Sequence, residues 1–174
     1  MHVLVDLPAN VRAGAERPGP PSVATVVSTL LTARYWSVFL HRVSTTLRFA
    51  GPLASVVKQV NQVLTGADIA VDAEIGEGLV LYHPNGVVIG PGAVLGSRVV
   101  LQQGVTVGGL GGPRREGAVT TCIGDRVFVG AGARVIGALE VGADSIVGAN
   151  AVVTKSVPAN SIATGVPATW RARS

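Results

Sequence analysis

Aliphatic side chains recur at every sixth residue through most of the chain after residue 68. A period of six matches neither a strand nor a helix, so it predicts a repeated unit of one short strand and one turn. Glycine directly follows eight of the thirteen aliphatic positions, where a side chain would clash as the chain bends. The thirteen positions are Ile69, Ile75, Leu81, Ile89, Leu95, Leu101, Val107, Ile123, Val129, Val135, Val141, Val147 and Val153.

The period of six predicts a parallel β-solenoid in which three repeats close one triangular coil. Each coil then covers the apolar face of the previous one. An open sandwich with glycine-rich turns is the nearest alternative. It requires hairpin signals and polar–apolar alternation, which keep no fixed period of six. We therefore expect a mainly β fold of about four to five coils.

The N-terminal third follows a different pattern. Residues 1–21 contain four prolines and no period, so we expect an irregular leader there. From Ser22, apolar residues at spacings of three and four predict a helix that ends at Gly51-Pro52. A second helix is predicted from about Leu53 to Leu64. The expected division is a leader over 1–21, a helical region over 22–67 and a repeat domain over 68–174.

Two insertions interrupt the six-residue period. The step from Leu81 to Ile89 is eight, which adds two residues within 82–86. The step from Val107 to Ile123 is sixteen, which inserts a loop over 108–122. Insertions leave a solenoid as loops, and loops on a rigid scaffold commonly carry function.

Charge and apolar composition exclude some classes of partner. The net charge of +4 lies in residues 1–67, because residues 68–174 carry equal numbers of acidic and basic side chains. The repeat region has no basic stripe with interleaved aromatics, so we expect no nucleic acid. The most apolar stretch contains Arg34, His41 and Arg42, which argues against a membrane span. With one cysteine and no signal-peptide pattern, we expect a cytoplasmic protein.

His83 and Asp68 are the strongest candidates for chemistry. His83 is the only histidine after residue 68 and lies within the first insertion. Asp68 precedes it by fifteen residues, just short of one eighteen-residue coil, so its carboxylate can lie beneath the imidazole. A carboxylate that holds one imidazole nitrogen leaves the other as a general base. The alternative is an ordinary solvent-facing histidine.

Other reactive side chains have structural interpretations. Cys122 lies within a repeat, so a packed or idle thiol is favoured over a nucleophile. His41 is expected to be structural within its helix, and Tyr35, Trp36 and Phe39 to form a packing stripe. The three histidines are far apart and no Cys/His ligand spacing occurs, so no metal site is predicted.

Several motifs occur in a fixed order along the repeat domain. They are Asp68-Ile69, Ile75-Gly76-Glu77-Gly78, His83, Gly86-Val87-Val88-Ile89-Gly90, Leu101-Gln102, Val105-Thr106-Val107-Gly108-Gly109 and Gly165-Val166-Pro167-Ala168. This ordered set resembles the serine O-acetyltransferase family of left-handed β-helix acyltransferases over about residues 50–170. The resemblance implies the left-handed coil, a homotrimer with active sites between neighbouring copies, and acetyl-CoA as co-substrate.

The resemblance also implies roles for individual residues. His83 is the general base and Asp68 its dyad partner. A backbone N–H of Gly108 or Gly109 faces the thioester and the developing oxyanion. Ala131, Ala133 and the last coil, with Gly165, line the pantetheine groove. The candidates for the CoA phosphates, each with a solvated-surface alternative, are Lys155, Arg171 and Arg173.

The acceptor pocket departs from the family pattern. The family has an aspartate directly before its catalytic histidine, where this chain has Tyr82. The family's long loop ends in Arg-His-Pro-Lys-Ile, and alignment on Ile123 puts Val119 and Thr120 at the Arg and His positions. Arg114 and Arg115 in the same loop are candidate substitutes. An amino-acid acceptor would therefore meet fewer charged partners here.

Three functional hypotheses follow from the sequence. The first is an acetyl-CoA-dependent O-acetyltransferase with serine as one candidate acceptor. The second keeps the fold and the CoA site but acylates another acceptor, such as a sugar hydroxyl or a specialised-metabolite alcohol or amine. The third is a non-catalytic trimeric scaffold, which would have no need of a histidine in the bulge.

Overall fold

The computed structural model describes residues 4–15, 20–109 and 120–173. Within these ranges, helices come first and short strands follow. The helices are α1 (Leu7–Gly14), α2 (Val23–Leu30), α3 (Ala33–Thr46) and α4 (Pro52–Thr65). The strands are β1 (Asp68–Ile69), β2 (Glu74–Ile75), β3 (Val80–Leu81), β4 (Val88–Ile89), β5 (Val94–Leu95), β6 (Val100–Leu101), β7 (Thr106–Gly108), β8 (Cys122–Ile123), β9 (Phe128–Val129), β10 (Arg134–Ile136), β11 (Glu140–Val141), β12 (Ile146–Val147), β13 (Val152–Val153), β14 (Ser161–Gly165) and β15 (Ala168–Ala172).

Successive strands belong in turn to three parallel sheets. Sheet A contains β1, β4, β7, β10 and β13, and sheet B contains β2, β5, β8 and β11. Sheet C contains β3, β6, β9, β12 and β14, with β15 antiparallel to β14. From β1 to β10, each strand therefore pairs with the third strand after it along the chain, as three-strand coils require. The prediction of a mainly β, parallel fold preceded by helices is confirmed.

The six-residue period corresponds to the side chains that point into the core. Of the thirteen aliphatic positions, all are buried except Ile75, which is half-buried. The inward side chains of all three sheets form one hydrophobic cluster. Burial of each Val, Leu or Ile contributes about 1.5–3 kcal/mol, so stacking of these side chains is a main source of stability.

Six of the eight glycines that directly follow an aliphatic position are required by close stacking of the coils, because a Cβ there would lie within 3.0 Å of a neighbouring atom. A Cβ at Gly124 would lie 2.6 Å from the amide nitrogen of Ala143 in the next coil. Positive φ angles occur at a different point, the second residue of the turn, such as Gly86 (φ 71°) and Arg98 (φ 58°). Glycine therefore avoids a steric clash after the aliphatic residue, whereas the left-handed backbone conformation lies elsewhere in the repeat.

The helical region differs from the prediction in two places. Residues 1–21 were expected to be irregular, but α1 lies among them and has Pro8 in its first turn, where the fixed φ of proline favours a helix. The single helix expected from Ser22 to Gly51 is divided between α2 and α3. Thr32 adopts an extended conformation (ψ 143°), and its side chain accepts a hydrogen bond from the Tyr35 amide, which starts a new helix.

The helices cover the open lower edge of the three sheets. α4 packs against β1, and α1 and α3 pack against β3. Edge strands have unpaired backbone groups, and here helical side chains supply their partners. Arg42 donates to the carbonyls of Ile75 and Gly76 at 2.6 Å, and the buried Asp6 carboxylate accepts from the Gly78 amide at 2.7 Å.

No single helix in the described ranges is long and apolar enough to cross a membrane. The helices α2 and α3 reach that length and composition only when taken together, and they are bent by 64° relative to each other.

Candidate functional site

The turns between the sheets stack into corners. We call the turns from sheet C to sheet A the C–A corner (residues 82–87, 102–105, 130–133 and 148–151). The turns from sheet A to sheet B form the A–B corner (residues 70–73, 90–93, 109, 120–121, 137–139 and 154–156). The B–C corner comprises residues 76–79, 96–99, 124–127 and 142–145. These corners hold seven of the twelve predicted site residues that the structure describes.

His83 lies on the lowest turn of the C–A corner, and its side chain is exposed. Hydrogen bonds hold this turn to the backbone below and above it. The amide of Gly86 donates to the Gly66 carbonyl at 2.9 Å, and the carbonyl of Asn85 accepts from the Gly104 amide at 3.0 Å. The insertion therefore presents the imidazole to solvent on a turn that the backbone fixes on both sides.

Asp68, the predicted dyad partner, is next to this turn. Its amide donates to the Val87 carbonyl at 2.9 Å, so the backbones of the two segments are in contact. The carboxylate Oδ1 lies 2.5 Å from Nζ of Lys58 on α4. Among the described residues, no hydrogen bond joins the Asp68 carboxylate to His83. The dyad therefore stays a prediction, and Lys58 is a partner that the sequence analysis did not select.

Asp68 begins a column of side chains on the outer face of sheet A. In the strands of sheet A, the first residue points outward and the second points into the core. The column continues through residues that pair in register on successive strands. Neighbouring strands lie about 4.8 Å apart. These are Val88, Thr106, Arg134 and Val152.

The predicted oxyanion donors lie across sheet A from His83. Gly108 ends β7, and its carbonyl accepts from the Gly137 amide at 3.0 Å. Gly109 is exposed, and nothing lies within 4 Å of the position of a Cβ there. Thr120, a predicted acceptor-pocket residue, is at the same corner because its hydroxyl donates to the Gly92 carbonyl. Within one chain, the A–B corner is thus separated from His83 by the length of a sheet A strand.

The predicted CoA-binding residues are distributed over several surfaces. Ala131 is in the C–A corner, above the His83 turn. Ala133 is fully buried as an inward position of the repeat, so its side chain does not face solvent, and its role in the groove stays a prediction. Lys155 is exposed in the A–B corner, and Gly165 is exposed at the end of β14.

The two predicted phosphate-binding arginines lie far along the coil from His83. Arg171 is exposed on β15, where it pairs with Ile162 at the upper edge of sheet C. Arg173 donates to the Asp144 carbonyl at 3.3 Å, which puts it at the B–C corner. One chain therefore does not gather these cations with His83 and Gly109 at a common corner.

Tyr82, the predicted acceptor-pocket residue beside His83, has a cationic neighbour. The Arg34 guanidinium lies 5.8 Å from the centre of its ring, within cation–π range. Sequence patterns gave no signal for this contact, because Arg34 belongs to a helix 48 residues earlier. The other acceptor-pocket candidates, Arg114, Arg115 and Val119, lie outside the described residues.

The remaining reactive side chains have structural environments. Burial raises the pKa of the Cys122 thiol, and the nearby carboxylates of Glu140 and Glu74 raise it further. Burial, with a smaller contribution from Arg42, lowers the pKa of His41 to about 3, so its imidazole is neutral. Within the described ranges, no group of three His, Cys, Asp or Glu side chains is close enough to hold a metal ion.

Comparison with known proteins identifies the family. A serine acetyltransferase of Mycobacterium tuberculosis is 39% identical over 170 residues, which cover 95% of this chain and 72% of that protein. The chain belongs to the serine acetyltransferase family. The crystal structure of the Neisseria gonorrhoeae serine acetyltransferase matches with a TM-score of 0.85 and 32% identity, over 99% of this chain and 68% of that chain.

The family membership confirms several expectations from the sequence. The serine acetyltransferase family is a family of acyltransferases, so the prediction of an acyltransferase is confirmed. The Brucella abortus serine acetyltransferase, solved in complex with coenzyme A, matches with a TM-score of 0.83 and 31% identity, over 96% of this chain and 66% of that chain. That complex supports the expected CoA thioester co-substrate. No protein-family model matches the chain.

Proposed function

We propose that this protein transfers an acetyl group from acetyl-CoA to the hydroxyl of a small acceptor, with His83 as the general base. One observation carries the proposal: an exposed histidine lies on a turn that is hydrogen-bonded to the Asp68 segment, in a chain of the serine acetyltransferase family. The M. tuberculosis relative is named serine acetyltransferase, which gives serine as its acceptor. Serine is therefore the first acceptor to test.

In the proposed reaction, His83 removes the proton from the acceptor hydroxyl as its oxygen attacks the thioester carbonyl. Negative charge develops on the carbonyl oxygen, where a backbone N–H of Gly108 or Gly109 stabilises it. Collapse of the tetrahedral intermediate breaks the carbon–sulfur bond. The CoA thiolate leaves and takes the proton from the imidazolium, which restores His83. No covalent bond to the protein is required.

We propose that the three sheets form a closed, left-handed coil and that three copies assemble with active sites between them. The separation of His83 from Gly109 and Thr120 within one chain supports this assembly. In a cyclic trimer, the C–A corner of one copy would face the A–B corner of the next. Lys155, Arg171 and Arg173 would then bind CoA phosphates of a site completed by a neighbour.

A different acceptor is the second candidate function, because the pocket departs from the family pattern. Tyr82 and the nearby Arg34 guanidinium occupy the position next to His83 where the family has a carboxylate. A cation there disfavours an ammonium group on the acceptor. Sugar hydroxyls and other neutral alcohols therefore belong in the acceptor panel beside serine.

The test is thiol release from acetyl-CoA with L-serine and a panel of neutral alcohols and amines, for the wild type and His83→Ala. Acceptor-dependent release that falls at least a hundredfold in the variant supports the proposal, because general-base catalysis contributes about 10²–10⁴-fold. Release with alcohols but not serine selects the second candidate. CoA binding without release on any acceptor, or unchanged release in His83→Ala, contradicts the assigned mechanism.

A further inference from the structure

Lys58 is the only cation paired with Asp68 in the described part of the chain. Its Nζ lies 2.5 Å from Oδ1, and both side chains are partly shielded, with 27% and 36% of their surfaces exposed. The pair connects the last helix before the repeat domain to the first strand within it. Surface ion pairs usually contribute little to stability. The location of the Lys58–Asp68 pair beside the His83 turn therefore suggests a role in the site.

Backbone hydrogen bonds hold the Asp68 segment against the turn that carries His83, and this limits the groups that Oδ2 of Asp68 can reach. The Asp68 amide is bound to the Val87 carbonyl, and Gly86 of the same turn is bound to Gly66. Asp68 therefore begins a strand whose outer side adjoins the turn that carries His83. The Lys58 ammonium holds Oδ1 of Asp68. Oδ2 is then the carboxylate oxygen left to accept a hydrogen bond from the His83 imidazole. A carboxylate held on one oxygen has fewer orientations available and orients its other partner more strongly.

The helix gives Lys58 no stronger alternative partner. It is the one charged residue of α4, and the helix carries no acidic side chain with which it could pair. The inward face of α4 is formed by Ala54, Asn61 and Thr65, which pack toward the domain. Asn61 is fixed by a hydrogen bond to the Ser37 carbonyl at 2.9 Å. Lys58 is thus presented to Asp68 by a helix whose rotation is fixed.

We infer that Lys58 is a positioning residue for the acyl transfer: it holds the Asp68 carboxylate so that its free oxygen orients the His83 imidazole. The inference rests on the proposed function and extends it to a residue outside the repeat domain. Lys58 touches neither the acceptor nor acetyl-CoA in this arrangement. Its effect passes through Asp68.

The test compares Lys58→Met, Lys58→Arg and, as a matched control on the same helix, the exposed Gln59→Met. With acetyl-CoA and the best acceptor of the panel, Lys58→Met lowers kcat about tenfold and leaves the KM for acetyl-CoA unchanged, as is typical when an outer partner of a functional group is lost. Lys58→Arg, which keeps the charge, restores most of kcat. Gln59→Met has the wild-type rate.

A double variant separates positioning from a structural role. In an Asp68→Asn background, Lys58→Met causes no further loss, because the action of Lys58 depends on the carboxylate. An additive loss would overturn the inference, as would failure of Lys58→Arg to restore the rate. A purely structural role of Lys58 would instead lower the thermal midpoint of Lys58→Met but not that of Gln59→Met, and a rate loss that only follows this midpoint would overturn the inference.

A second readout does not depend on turnover. Diethyl pyrocarbonate modifies His83 at a rate set by the imidazole environment, and mass spectrometry measures the modification at that residue. Lys58→Met and Asp68→Asn change this rate by the same factor, and the double variant matches either single one. If the wild type transfers no acetyl group, the proposed function fails while this measurement still decides the inference. An unchanged rate in Lys58→Met contradicts it.

Discussion

Asp6 and Arg42 form a two-point ion pair that also binds the backbone of the lowest coil. Nε of Arg42 lies 2.8 Å from Oδ2 of Asp6, and the other guanidinium contact, to Oδ1, is 3.2 Å. The pair is largely buried, with 16% and 3% of the two side chains exposed. It joins α1 and α3 to the edge of the repeat domain.

Removal of one partner of this pair should be strongly destabilising. Asp6→Asn leaves the buried guanidinium without its counter-ion, and we expect a loss of about 3–5 kcal/mol in the free energy of unfolding. Urea denaturation measures the change. The exposed Arg126–Asp144 pair, at 2.6 Å, is the control, and Asp144→Asn should leave the midpoint unchanged. Equal effects in the two variants would contradict the assigned role of the buried pair.

His41 should make the protein less stable at mildly acidic pH. Burial lowers its pKa to about 3 in the folded chain, whereas the unfolded value is near 6.5. The stabilisation is complete above pH 6.5 and is lost as the pH falls toward 3, because the unfolded chain binds a proton that the folded chain excludes. Between pH 7.5 and 5.0 the loss is about 2 kcal/mol.

The variant His41→Leu isolates that effect from other titrating groups. This variant has no imidazole at position 41 to bind a proton. Its free energy of unfolding should therefore fall by about 2 kcal/mol less than that of the wild type over the same pH interval. Urea midpoints at pH 7.5 and 5.0 for both proteins provide the comparison. Parallel declines would mean that the His41 imidazole becomes protonated within the fold.

Gly124 and Gly109 should respond differently to an added methyl group. A Cβ at Gly124 would lie 2.6 Å from the Ala143 nitrogen, so Gly124→Ala forces two coils apart and should cost at least about 2 kcal/mol. Gly109 has open space at the same position, and Gly109→Ala should leave stability unchanged. Thermal unfolding of the two variants measures the difference. Similar midpoints would contradict the close stacking.

Cys122 should react slowly with thiol reagents. Burial and the carboxylates of Glu140 and Glu74 raise its pKa, so little thiolate is present at pH 7.5. We expect modification by a disulfide reagent to be slower in the folded protein than in urea. Cys122→Ser should retain the transfer rate. Loss of transfer in that variant would mean that the thiol takes part in the chemistry.

Mixed assemblies would test whether active sites lie between copies. His83→Ala and Gly109→Val should each be inactive alone, because one lacks the base and the other obstructs the oxyanion site. Co-refolded at equal amounts, they should recover up to about one quarter of the wild-type rate, the fraction of interfaces that pair an intact His83 with an intact Gly109. No recovery would indicate that each chain builds its own site.

The sequence predicted the repeat domain well because its period is enforced at every coil. An inward aliphatic residue is needed in every repeat and a closely stacked glycine in many of them, so the same pattern recurs along the chain. The helical region has no such redundancy. The apolar spacing continues through Leu31 and Thr32, which concealed the break between α2 and α3, although the cap formed by Thr32 was a detectable signal.

The candidate site was predictable only where its residues interrupt the period. His83 stood out because it lies in an insertion. The contacts of Lys58 and Arg34 with the site depend on how helices pack against the first coil, and no local pattern records that packing. Ala133, by contrast, occupies a regular inward position of the repeat, so no interruption of the period marks it.

The two ends of the coil are closed in different ways, and this has a consequence for aggregation. A stack of parallel strands offers the same hydrogen-bonding edge at both ends, so identical copies can in principle add end to end into a filament. Here the lower end is covered by helices whose side chains bind the edge backbone, and at the upper end β15 runs antiparallel along β14. Both coverings disfavour the addition of a second copy at the end of the stack.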